Sequence, residues 1–171
     1  MIICARNKNY DDIKAWLTPE DKIIIMTCNI CIKGCGIGGH RLVDRLAKKL
    51  TKDGYNVIYK GLVGFACNQD LIYERRDHPF TKDIFAEATA IIPIACGEGI
   101  HNFTHIFSDK KVFNGIVGLG VGSVSAKEGP KLILPFPETI EKLKAANVEL
   151  PPTGIKLKEV AAKLNLEVGG F

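Results

Sequence analysis

Three cysteines within eight positions, Cys28, Cys31 and Cys35, follow directly on the apolar run Ile23-Ile24-Ile25-Met26-Thr27. An amphipathic segment begins just after them, near His40. The order predicts a strand, a tight loop and a helix. Thiols spaced C-x2-C-x3-C on a turning backbone can converge on one point. Soft metals and iron–sulfur clusters are held by such groups of thiolates. Three ligands leave a four-thiolate site one short, so the fold must bring a distant cysteine back to this loop.

The rest of the chain supplies an alternating pattern. Tyr10, Ile13, Trp16 and Leu17 fall at helical spacing, and Thr18-Pro19-Glu20-Asp21 ends that segment. The three consecutive isoleucines of residues 22–27 read as a strand buried on both faces, as in a parallel sheet. Leu42, Val43, Leu46 and Leu50 make the stripe of a helix over 41–52, closed at Asp53-Gly54. Strands are expected over 56–62, 89–95 and 111–117, with helices over 79–88 and 100–107 and a short one near Tyr73. Residues 118–123 read as a glycine-rich loop. Strands alternating with helices imply right-handed crossovers and a parallel sheet. The expected fold is α/β, a Rossmann-like, doubly wound, mostly parallel sheet with flanking helices over residues 1–128. Residues 129–171 read as an extension carrying a short strand and two helices, over 138–147 and 156–166. Met1 to Cys4 reads as an edge strand.

In a doubly wound sheet the C-terminal ends of the strands share one edge, where ligands bind. The loops after Thr27, Leu62 and Ala95 carry Cys28, Cys31, Cys35, Cys67 and Cys96. Every cysteine but Cys4 is therefore expected on one rim, as a metal-binding set in which Cys67 or Cys96 completes the site. Gly34, Gly36, Gly38 and Gly39, with Gly97 after the third strand, let the backbone pass close to a bound cofactor and aim N–H groups at it. The chemistry implied is one [4Fe–4S] cluster, with zinc as the alternative.

Other signals weigh less. Gly34-x-Gly36-x-x-Gly39 matches the dinucleotide fingerprint, but Gly34 comes seven positions after Thr27. Tyr59, Lys60 and Gly61 also stand where an acidic residue would end the second strand. Cys28 and Cys31 could form a redox C-x-x-C pair, which leaves Cys35 without a role. His101 and His105, four apart on a helix, could share zinc with Cys96, but two surface histidines are the plainer reading; His40 and His78 carry less signal. Glu98 is either an acid near the cluster or a helix cap. No catalytic triad or carboxylate pair is found, so no catalytic residue is assigned.

Composition narrows the class. A hydrophobic content of 46% and a charged content of 25% describe a globular domain with a real core. The net charge of +4 comes from basic residues spread in runs no longer than two, which is no nucleic-acid stripe. No apolar segment approaches the ~20 residues of a membrane span. The first residues show no basic region or cleavage site, so the expected location is cytoplasmic. Clustered thiols in such a chain point to metal binding rather than disulfides.

The stretches Met1-Ile2-Ile3-Cys4-Ala5-Arg6-Asn7-Lys8, Cys28 to Cys35 with its preceding strand, Ala66-Cys67-Asn68-Gln69-Asp70, Ala95-Cys96-Gly97-Glu98-Gly99 and Gly115-Ile116-Val117-Gly118-Leu119-Gly120 occur in a telling order. Together they resemble the small, cluster-carrying subunit that accompanies methylenetetrahydrofolate reductase in anaerobic acetogens, and its stand-alone relatives. The likeness covers residues 1–125. It implies an iron–sulfur protein that exchanges electrons with a flavin-dependent reductase subunit, or with another redox protein. Its cluster ligands would be Cys28, Cys31 and Cys35, completed by Cys67 or Cys96. The full-length family continues into a second cysteine-rich segment, whereas this chain has no cysteine after Cys96. The alternative is a zinc-binding or nucleotide-binding α/β module without a redox role. An enzyme using an open iron site is a third reading.

Overall fold

The computed structural model describes residues 1–166. In chain order the elements are β1 (Ile2–Asn7), α1 (Tyr10–Trp16), β2 (Lys22–Cys28), α2 (Cys31–Gly34), α3 (His40–Lys52), β3 (Asn56–Val63), α4 (Gln69–Asp77) and α5 (Lys82–Glu87). They continue with β4 (Ala90–Ile94), α6 (Gly97–Ile106), β5 (Lys111–Val112), β6 (Ile116–Ser125), β7 (Gly129–Pro135), α7 (Pro137–Ala145), β8 (Ile155–Lys156) and α8 (Leu157–Lys163). The fold is mixed α/β. The strands divide equally between two sheets, one parallel in the order β3-β2-β4-β5 and one antiparallel in the order β1-β6-β7-β8.

The parallel sheet is built on β2. Ile23, Ile24, Ile25 and Met26 have no exposed surface, and each such side chain gains about 1.5–3 kcal/mol from burial. β2 pairs with β3 on one side and β4 on the other. Chain order therefore reverses between β2 and β4, and the crevice beyond the C-terminal ends of such strands is where ligands settle in open α/β sheets. Pro93 is tolerated in β4 because β5 pairs only with Ala90 and Ile91, which leaves Pro93 clear of that neighbour. α3 lays Leu42, Val43, Leu46, Ala47 and Leu50 into the core, as its periodicity predicts. Asp21 ties the start of β2 to its surroundings. It accepts hydrogen bonds from the Thr18 N–H at 2.7 Å and the Thr89 hydroxyl at 3.1 Å, and it pairs with Lys111 at 2.7 Å.

The antiparallel sheet departs from the sequence reading. Residues 111–117 are not one strand: β5 ends at Val112, the chain turns, and β6 begins at Ile116. The expected loop over 118–123 lies inside β6, between β1 and β7. Its glycines are forced by close approach rather than by turning. A Cβ on Gly122 would fall on the Lys131 carbonyl and come within 2.6 Å of the Cys4 sulfur. A Cβ on Gly120 would strike the Leu134 carbonyl. Such positions accept only glycine, and a run of them imitates a loop in sequence. β7 returns antiparallel to β6, with Ser125 opposite Gly129, so the 128/129 boundary expected from sequence falls in the turn of this hairpin. α7 and α8 follow, the latter seating Leu157, Val160 and Ala161 in the core. The last expected helix was drawn to Leu166; α8 ends at Lys163.

Candidate metal centre

Cys28 is the last residue of β2 and lies opposite Val63, the last of β3. The Asn29 N–H continues the ladder to the Val63 carbonyl at 3.0 Å, and the Cys28 thiol donates to the Gly64 carbonyl at 3.9 Å. Cys31 opens the single turn of α2 and is half-buried. Thr27, fully buried, holds the far end of this loop by accepting from the Gly39 N–H at 3.1 Å. Gly38 has no room for a side chain, because its Cβ would meet Ile32 at 2.7 Å and the Thr27 hydroxyl at 3.0 Å. Gly39 turns the chain into α3 with a φ of +88°. These two glycines have local reasons to be present, independent of any cofactor.

Cys67 and Cys96 are brought alongside by α6. The Asn102 side chain donates to the Ala66 carbonyl at 3.0 Å and accepts from Gln69 at 3.0 Å, which fastens the Cys67 loop to the helix that follows Cys96. Gly99 completes the contact, since a Cβ there would lie 2.7 Å from the methyl groups of both Ala66 and Ala95. Cys96 caps α6 and is buried, whereas Cys67 is exposed. Burial pushes the Cys96 thiol up; the Gly99 N–H opposes this, and Cys31, Cys28 and Cys67 add to it. Cys96 thus lies within electrostatic reach of Cys31, Cys28 and Cys67, which come from the other two loops. A side chain at Gly97 would meet nothing within 4 Å, so the backbone beside Cys96 is open. A cavity of about 280 Å³ adjoins it, walled by Gly97, Glu98, Ile3, Ile100 and Phe136.

Cys35 takes another direction. Its thiol lies 3.3 Å from the Ile3 carbonyl and within hydrogen-bonding reach of Cys4. The Cys4 hydrogen bond lowers the Cys35 pKa to about 7, against the effect of burial and with help from the Ala5 N–H and the Arg6 guanidinium. Cys4 is driven the other way, chiefly by that same hydrogen bond and by burial, and keeps its proton. Arg6 Nη1 donates to the Cys35 carbonyl at 2.9 Å, and Asn7 Nδ2 donates to the Ile37 carbonyl at 3.3 Å. The antiparallel sheet thus grips the far half of the cysteine loop.

Cys28, Cys31 and Cys67 each act on Cys96, Cys31 also acts on Cys4, and the Cys35 thiol turns toward β1. Gly34, Gly36, Gly38 and Gly39 follow the loop, and Gly97 sits beside Cys96. Among the described residues, no three His, Cys, Asp or Glu side chains close on a point that could hold a single metal ion. His40, His78, His101, His105 and Glu98 are all exposed. Arg6, Asn7, Gln69 and Asn102 were missed in the sequence. The one visible signal was Arg6-Asn7, two polar residues in an otherwise apolar strand. No helix among the described residues is long and apolar enough to cross a membrane. Comparison with protein-family models, with curated proteins and with solved structures gave no match.

Proposed function

We propose that this chain is an iron–sulfur protein that holds one [4Fe–4S] cluster through Cys28, Cys31, Cys67 and Cys96. It would serve a flavin-dependent reductase of one-carbon metabolism, in the cytoplasm, as an electron-transfer subunit. The observation that supports the reading is placement: Cys28 ends β2, Cys31 follows it, and Cys67 and Cys96 lie in the loops after β3 and β4, the two strands that flank β2. We read that half of the molecule as Rossmann-like, with the cluster at the reversal between β2 and β4, where such sheets place their ligands.

All four proposed ligands are thiolates, a set that zinc and iron–sulfur clusters both accept. The resemblance seen in the sequence favours the cluster. When bound, the cluster supplies one-electron redox chemistry. The chain's own residues do the rest. The Gly99 N–H aimed at the Cys96 sulfur offsets part of the burial that raises the pKa of this thiol. Exposed Cys67 brings the site to the surface, and Ile30 and Phe65, 41% and 50% exposed beside Cys31 and Cys67, offer an apolar face for a redox partner. The resemblance seen in the sequence names the class of that partner.

Anaerobic purification followed by iron and sulfide analysis and electron paramagnetic resonance tests the proposal. The expected result is about four irons per chain and a reducible cluster signal. Cys28→Ala and Cys96→Ala should each abolish it, while Cys35→Ser should keep most of the iron. Stoichiometric zinc without iron, or a colourless protein after cluster reconstitution, overturns the reading. Loss of iron in Cys35→Ser with retention in Cys67→Ala would move the ligand set back to the contiguous loop.

A further inference from the structure

Arg6 is 3% exposed, yet no carboxylate among the described residues pairs with it. One of its nitrogens donates to the Cys35 carbonyl, and its Nε is buried with no partner. Burial lowers its pKa, and only the neighbouring thiols Cys35 and Cys4 act against that. A buried guanidinium this poorly compensated is costly to the fold. Its surroundings show what would offset the cost. Arg6 walls a cavity of about 300 Å³ together with Cys35, Gly36, Glu128, Lys156 and Lys158. The single acid there, Glu128, is already engaged by Lys131 at 2.8 Å. Neither Lys156 nor Lys158 has an ion-pair partner among the described residues.

We infer that this recess, at the seam between β1, the cysteine loop and the β7–β8 edge, binds a small anion through Arg6, Lys156 and Lys158. Three cations against one occupied carboxylate call for a ligand with more than one negative charge. The planar fork of arginine suits a phosphate or carboxylate group. The volume lies at the lower end for small-molecule sites, which fits a compact phosphorylated or polycarboxylic metabolite and excludes a dinucleotide. None of the four rim thiols lines this recess, so its test does not depend on a cluster.

Titration calorimetry of the full chain at low ionic strength, with pyrophosphate and citrate as probes, tests the inference. At least one probe should bind with a dissociation constant below about 1 mM, and added salt should weaken it. Binding of pyrophosphate alone assigns phosphate chemistry, and binding of citrate alone assigns carboxylate chemistry. Lys156→Gln with Lys158→Gln, both outside the core, should leave the melting temperature unchanged and weaken binding by about tenfold or more. Arg6→Lys should weaken it as well, by removing the fork. No binding of either probe below about 10 mM, or undiminished binding in the double lysine variant, overturns the inference.

Discussion

The two sheets handle cysteine and glycine in opposite ways. At the end of the parallel sheet the backbone is open: Gly97 has empty space around it, Cys67 is exposed, and four thiols stand near one another without closing on a point. In the antiparallel sheet the pairing of β1, β6 and β7 is closed around Cys4, Gly120 and Gly122. Cys4 is fully buried against Lys131 and Gly122, and Gly120 and Gly122 of β6 are present because nothing larger fits. Gly97, beside the Cys96 thiol, thus leaves room for something to approach. Glycine in β6 lets two backbones approach each other. The residue type is shared; the direction from which the crowding comes is not.

The sharpest way to break this comparison is to add a side chain in each place. Gly122→Val should destabilise the fold by about 3 kcal/mol or more, because the Lys131 carbonyl and the Cys4 sulfur occupy the space and both belong to packed strands. Gly97→Ala should change stability by less than about 0.5 kcal/mol. Denaturant titrations of the two variants check this. Equal effects would show that the rim is as closed as the sheet.

A middle-sized effect should come from the tie between the two cysteine loops of the rim. Asn102→Ala removes the donor to the buried Ala66 carbonyl, and an unsatisfied buried acceptor costs about 1–3 kcal/mol. Because the same side chain fastens the Cys67 loop to the helix after Cys96, the proposed cluster, if bound as inferred above, should lose iron faster under oxidising conditions in this variant. A variant that loses stability but keeps its iron would separate folding from the geometry of the rim.

These contrasts also show what the sequence could reveal. The central strands β2, β3 and β4 of the parallel sheet were legible, β2 most plainly because Ile23 to Met26 are fully buried, whereas only the first two residues of the expected strand over 111–117 join that sheet. The rim followed from it, since strand ends in a parallel sheet share an edge. The antiparallel sheet was not legible, because Gly118, Gly120 and Gly122 carry the composition of a loop. Only the later arrival of β7 explains why Gly120 and Gly122 are glycines. The direction of the Cys35 thiol was hidden for a related reason. Spacing alone places it with Cys28 and Cys31, whereas β1, some thirty residues earlier in the chain, supplies the Ile3 carbonyl, the Ala5 N–H and Cys4 that engage it.

The smallest expected effect concerns Asp21, at the opposite end of the parallel sheet from the rim. Burial raises its pKa, but Lys111, the Thr18 N–H and the Thr89 hydroxyl outweigh that and hold the carboxyl below its ordinary value. A depressed carboxylate contributes stability above its unfolded pKa of about 3.9, and loses it as the pH falls through the lower folded value. Asp21→Asn should therefore cost about 1–2 kcal/mol near pH 7, most of it from the hydrogen bonds, since Lys111 is partly solvated and its pairing is screened. The difference between variant and parent should shrink below about pH 4. Melting curves from pH 2.5 to 7 check this, and a pH-independent difference would mean that the carboxylate's charge has no part in holding α1, β2 and β5 together. Gln69→Ala at the rim, which removes only a partly exposed side-chain contact, should show no pH dependence across the same range, because no ionisable group is involved in its hydrogen bond.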